Sequence, residues 1–172
     1  KPSGGAIDET DYLLLNSTAG ADDNAGAWND TAATSSVFSL GTFADSNGNG
    51  KTFIAYCFHS VDGYSKVGGY TGNGASDGVF VYTGFRPAFI IYRETGNTNN
   101  WIMLDNKRDP DNVVGAFLYP NLTNAEATGY SIVDFLSNGF KHRSTATSGN
   151  RSGGSYIYIA FAEQPFKYSN AR

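Results

Sequence analysis

The residues best suited to chemistry lie in "FIAYCFHSVDGYSK", residues 53–66, which carries the chain's one cysteine and one of its two histidines. A thiolate nucleophile needs an imidazole nearby to draw off its proton. In an extended strand, alternation puts Phe53, Ala55, Cys57 and His59 on one side and Ile54, Tyr56 and Phe58 on the other, so Cys57 and His59 would touch. The opposing reading is an interior strand, apolar on both faces, in which cysteine is a small buried filler. An internal echo favours packing: Ile54-Ala55-Tyr56 matches Ile159-Ala160-Phe161 at an offset of 105, which sets Cys57 against Ala162 and His59 against Gln164. The second copy builds the same strand without either group. No catalytic residue is expected.

Other stretches offer weaker chemistry. "ADSNGNGK" puts Asp45, Asn47, Asn49 and Gly50 at the first, third, fifth and sixth places of a calcium loop, but Tyr56 stands where the twelfth-place glutamate belongs. A hairpin turn is expected there instead. "GASDG", 74–78, fits the pattern that seats a nucleophilic serine on a strand-to-helix elbow, yet it joins two expected strands, leaving Ser76 without the elbow. "LDNKRDPDN" gathers Asp105, Asp109 and Asp111, enough oxygen for a surface calcium, or else an Asp-Pro turn with solvated acids. Tyr70, Tyr82, Trp101 and Tyr119 could offer flat faces to sugar rings. A glycosidase needs two carboxylates facing one bond, and no strand carries such a pair.

Elements that could position these groups follow from composition. Aromatics make up 15% of the 172 residues and glycine supplies 21, a mixture that strands and tight turns consume. Expected strands are 12–15, 37–43, 52–59, 64–70, 79–83, 88–93, 101–105, 116–119, 131–136, 140–143 and 156–162, separated by turn chemistry such as "DSNGNG", "TGNGASDG" and "SGNRSGG". No segment reads as a helix, although "NLTNAEATGY" could make one turn. The expected fold is all-β: an antiparallel β-sandwich of jelly-roll or concanavalin-lectin-like type. A net charge of −4, with no clustered lysines or arginines, argues against nucleic acid as a partner. No apolar run approaches the ~18 residues of a membrane span, so membrane insertion is not expected. A single cysteine allows no intrachain disulfide, and a chain opening on Lys1 reads as a piece of something longer.

The echo also divides the chain. Asn16 and Thr18 recur as Asn121 and Thr123, "SVFSLGTF" faces "VDFLSNGF", and Tyr64-Ser65 is answered by Tyr168-Ser169. On this reading 1–63 is the C-terminal half of a first unit of about 105 residues, a partial repeat preceding a complete β-sandwich unit at 64–172. A half-sandwich leaves strand edges open, so 1–63 is expected to complete a sheet with a neighbouring chain or to pack on the full unit.

"GYSKVGGYTGNGASDGVFVYTGFRPAFIIYR", "NWIMLDNKRDP", "DFLSNGFKHR" and "YIYIAFAEQPFKYSNAR" resemble a domain family of tailed-bacteriophage virion structural proteins, notably from marine phages, found near the C-termini of tail-fibre-like chains. The resemblance implies a phage virion module of a tail fibre, spike or decoration, with lectin-like sandwich architecture and no catalytic residues to carry over. It further implies neighbouring virion subunits as partners, a homotrimer by analogy with phage fibres, and host cell-surface glycans as candidate ligands. No cofactor is implied beyond the calcium that the three aspartates could hold. A purely architectural assembly domain is the alternative, and a glycan-degrading enzyme the third reading.

Overall fold

The computed structural model describes Asp8 and residues 10–166; the Tyr168-Ser169 end of the echo lies outside the described residues. Among the described residues ten strands run in chain order: β1 Asp11–Tyr12, β2 Asp22–Asp23, β3 Ser65–Thr71, β4 Phe80–Tyr82, β5 Pro87–Glu94, β6 Ile102–Asp105, β7 Phe117–Leu118, β8 Val133–Leu136, β9 Gly139–His142 and β10 Ser155–Ala162. They form a five-stranded sheet of order β3-β10-β5-β6-β7, a three-stranded sheet β4-β9-β8, and the short pair β1-β2, every pairing antiparallel. The chain is all-β, and its two larger sheets share one core. All eight strands of those sheets fall between residues 65 and 162.

Period-two alternation explains which side chains meet. Along β10, Tyr156, Tyr158 and Ala160 are buried, while Ile157, Ile159 and Phe161 are half-buried on the opposite face. Opposite them in register, Tyr92 and Ile90 of β5 and Tyr70 of β3 point the same way. Val81, Phe135 and Phe140 of the smaller sheet close the core from the other side. The centre is an aromatic box: Tyr70 stacks on Tyr156 with ring centroids 4.8 Å apart, and the buried His142 lies 5.2 Å from Tyr70 and 5.3 Å from Tyr92. Burial holds the His142 imidazole down at about 3, so it sits in the core as a neutral ring.

Residues 14–21 lie against the outer face of the large sheet. Arg93 projects from β5 away from the core, yet it is fully buried because it donates to the carbonyls of Leu14 (3.3 Å), Ser17 (3.0 Å) and Ala19. Trp101 stacks under the guanidinium, 5.6 Å from its ring centroid, and donates from Nε1 to Leu14 O at 3.1 Å.

Three sequence expectations are corrected here. Neither 37–43 nor 52–59 forms a strand, and 12–15 contributes only its first residue, Tyr12, to β1. An apolar alternation makes a strand only where an edge is free to accept it. After the bridge Val61↔Ser65, the Ser60 hydroxyl accepts from Val67 N (3.1 Å) and donates to Val67 O (3.3 Å), taking the backbone groups a continuing hairpin would use. Cys57 is therefore exposed rather than a buried filler. Lastly, "ADSNGNGK" is not a hairpin: Ala44–Asn47 forms a single helical turn, as do Ala25–Trp28 and Thr147–Asn150, and no strand flanks it.

Candidate functional site

The outward face of β4 is built by simple alternation. Val81 points into the core, which leaves Phe80 and Tyr82 pointing out, 43% and 62% exposed. Side chains two residues apart on a strand sit roughly 7 Å from one another, about the spacing at which two rings can face one extended ligand. Gly139 leaves room for the Phe80 ring. A Cβ on Gly139, the register partner of Tyr82, would lie 2.9 Å from the Phe80 ring and 2.2 Å from Val81 O. Gly84 takes φ +87°, a left-handed conformation costly for other residues, and a Cβ there would sit 3.6 Å from the Tyr82 hydroxyl.

Beside Tyr82 is an open depression of about 180 Å³, lined by Ser60, Val61, Asp62, Ser65, Lys66, Thr83 and Gly84. Its hydroxyls are already engaged, Thr83 Oγ1 donating to Phe85 O at 2.6 Å and Ser65 Oγ to His59 O at 2.9 Å. By contrast, Asp62 and Lys66 make no ion pair or side-chain hydrogen bond among the described residues. A carboxylate and an ammonium thus border an exposed phenol ring with their hydrogen-bonding capacity unspent. Further along this sheet, Lys141 pairs with Asp77 at 2.6 Å, and Arg143 pairs with Asp134 at 2.9 Å. The hydrogen bond from Lys141 holds the Asp77 carboxyl below its usual range. Asp62 is the one carboxylate lining the depression, so that lining offers no opposed acid and base for glycosidic cleavage.

The structure disperses the other residues singled out from sequence. Tyr70 is in the core with its hydroxyl donating to Gly149 O at 2.9 Å, Trp101 is buried under Arg93, and Tyr119 packs half-buried against Phe117 at 5.1 Å. Of the four aromatics proposed for sugar contact, Tyr82 is the one whose ring is mostly open to solvent.

The three aspartates also point to different tasks. Asp105 accepts from Lys107 N and Arg108 N, each at 2.9 Å, and pairs with the Arg108 guanidinium. Burial works against its charge, but those hydrogen bonds outweigh it and hold the carboxyl below the usual range. Asp109 accepts from Gly115 N at 2.8 Å, and Asp111 is exposed. Among the described residues no three His, Cys, Asp or Glu side chains are placed to share a metal ion. Ser76 is exposed on a bend between β3 and β4, and His59 and Cys57 are both exposed.

Phe80, Asp62 and Lys66 were not singled out from sequence. The "FVY" pattern, two aromatics flanking a β-branched residue, was a legible sign of an outward aromatic pair, whereas Asp62 and Lys66 carried no signal apart from the fold.

Residues 4–165 match the model of a family described as a domain of unknown function, DUF7483, and the chain belongs to that family. No curated protein and no solved structure matches it. Among the described residues no helix is long and apolar enough to cross a membrane.

Proposed function

We propose that the chain is a non-enzymatic structural module of a tailed-phage particle, in a fibre, spike or decoration, that contacts host-surface glycans through Tyr82. The phage assignment rests on the sequence resemblance. The sugar reading rests on one observation: the solvent-facing Tyr82 ring beside Asp62 and Lys66, whose side-chain polar atoms have no partner among the described residues. A sugar ring presents a CH face that stacks on an aromatic and hydroxyls that accept from an ammonium or donate to a carboxylate. Phe80 extends the stacking surface along β4 for a second residue of the glycan.

The test is a glycan array on the full chain, followed by titration of the best hit against Tyr82→Ala. The expected result is saturable binding that Tyr82→Ala weakens at least tenfold while the thermal midpoint stays unchanged. Absence of binding across the array, or equal binding by Tyr82→Ala, overturns the reading.

A second reading, an assembly domain without ligand, is favoured by a separate observation: Phe53, Ile54, Tyr56 and Phe58 all stand exposed. The homotrimer belongs to this proposal by analogy with phage fibres. Electron microscopy of intact particles labelled with an antibody to the chain tests its location and symmetry together.

A further inference from the structure

Residues 52–58 are anomalous in two respects. They are apolar on both faces, with Phe53 43%, Ile54 78%, Tyr56 80% and Phe58 57% exposed. Their backbone is also unspent: no N–H or C=O from Thr52 to Phe58 has a hydrogen-bond partner among the described residues. One environment satisfies both properties, namely a sheet edge that takes up the amides and carbonyls while its flanking side chains cover the apolar faces.

The chain's own sheet does not accept the segment, because Ser60 diverts it at Val67. Within the fold, though, the same side-chain pattern is already accepted elsewhere. Ile54-Ala55-Tyr56 repeats Ile159-Ala160-Phe161 of β10, and those three residues pair with Val67, Lys66 and Ser65 of β3 on one side and with Ile91, Ile90 and Phe89 of β5 on the other. In the five-stranded sheet β3 has one strand neighbour, β10. A second copy therefore brings a sheet of the kind that takes this sequence; Val61 and Ser60 hold the outer backbone groups of Ser65 and Val67 in every copy, and beyond Val67 no described strand or bridge pairs with that edge.

We propose that residues 52–58 form an assembly strand that pairs with a sheet edge of a second copy of this chain. Areas agree with that occupant. At roughly 200 Å² for a large apolar side chain, the exposed parts of Phe53, Ile54, Tyr56 and Phe58 come to about 500 Å² per chain. In each contact the given segment buries about 500 Å² and the surface that receives it a comparable area, about 1,000 Å² in all, the lower bound for a specific interface. A strand given to the next copy is a head-to-tail contact, which closes into a ring when the rotation between copies allows it. The inference does not depend on Tyr82 and stands whether or not a glycan binds there.

The experiment uses the full chain and the double variant Ile54→Lys, Tyr56→Lys, whose changes lie outside the two sheets. Light scattering after size exclusion at about 50 μM gives the mass, and hydrogen exchange gives the protection of amides 53–58. The expected result is an oligomer with protected amides in the parent, and in the variant a monomer with exchange at 53–58 at least a hundredfold faster and an unchanged far-ultraviolet dichroism spectrum. A monomeric parent overturns the proposal, whether its 53–58 amides are unprotected or are protected within one chain. An oligomer that persists in the variant also overturns it.

Discussion

Lowering the pH from 7 to 5 tests how His142 is held. Its ring is 1% exposed and enclosed by Tyr70, Tyr92 and Phe140, and its Nε2 has no hydrogen-bond partner in the core. Burial lowers the folded value from 6.5 to about 3, so the native state keeps the ring neutral while the unfolded chain protonates it. Stability from this group is complete above 6.5 and is lost as the pH falls towards 3. Each unit in that window costs about 1.4 kcal/mol, which amounts to about 2 kcal/mol at pH 5. Urea unfolding at pH 7, 6 and 5 reads the loss directly and leaves ionic strength constant. His142→Leu removes the titrating group, so its unfolding free energy, whatever its absolute value, should vary with pH by about 2 kcal/mol less than the parent's over this range. The one other histidine, His59, is exposed and common to both chains, so it cancels in the comparison. Equal pH dependence in parent and variant would refute the reasoning.

Two further perturbations probe how the outer segments are held. Arg93→Met keeps the apolar stem but removes the donors to Leu14, Ser17 and Ala19; at roughly 1 kcal/mol per bond for a partly solvated segment, residues 14–19 should loosen by about 2 to 3 kcal/mol. Hydrogen exchange at Ala21, whose N–H is bonded to Thr95 O, and a red shift of Trp101 emission report that release. Asn150 is fully buried, donating from Nδ2 to Asn73 Oδ1, Ala75 O and Ser144 O and accepting from Asn73 N at 2.9 Å. Asn150→Ala strands these groups and should cost about 2 to 4 kcal/mol, read as a lower calorimetric midpoint.

What the sequence determined by itself is the strand content of residues 65–162. The apolar alternation of 156–162 and 88–93, and the Gly/Asn turns between such runs, leave few alternatives to an antiparallel sandwich, because each strand has one face to hide and a short way back. Local pattern carries that much since side-chain alternation and turn conformations are properties of a few adjacent residues. It does not state which face turns inward. Tyr70 and Tyr82 are both strand tyrosines, yet one stacks on Tyr156 in the core and the other stands in solvent, a difference set by which strands lie across from β3 and β4. Nor does pattern supply an acceptor edge: "FIAYCF" alternates as well as β10 does, but pairing requires a neighbour, and Ser60 occupies the backbone groups where that neighbour would begin. The exposure of Cys57, the burial of His142 and the convergence of Asp62 and Lys66 beside Tyr82 were decided by tertiary structure, because burial and proximity depend on residues far apart in the chain.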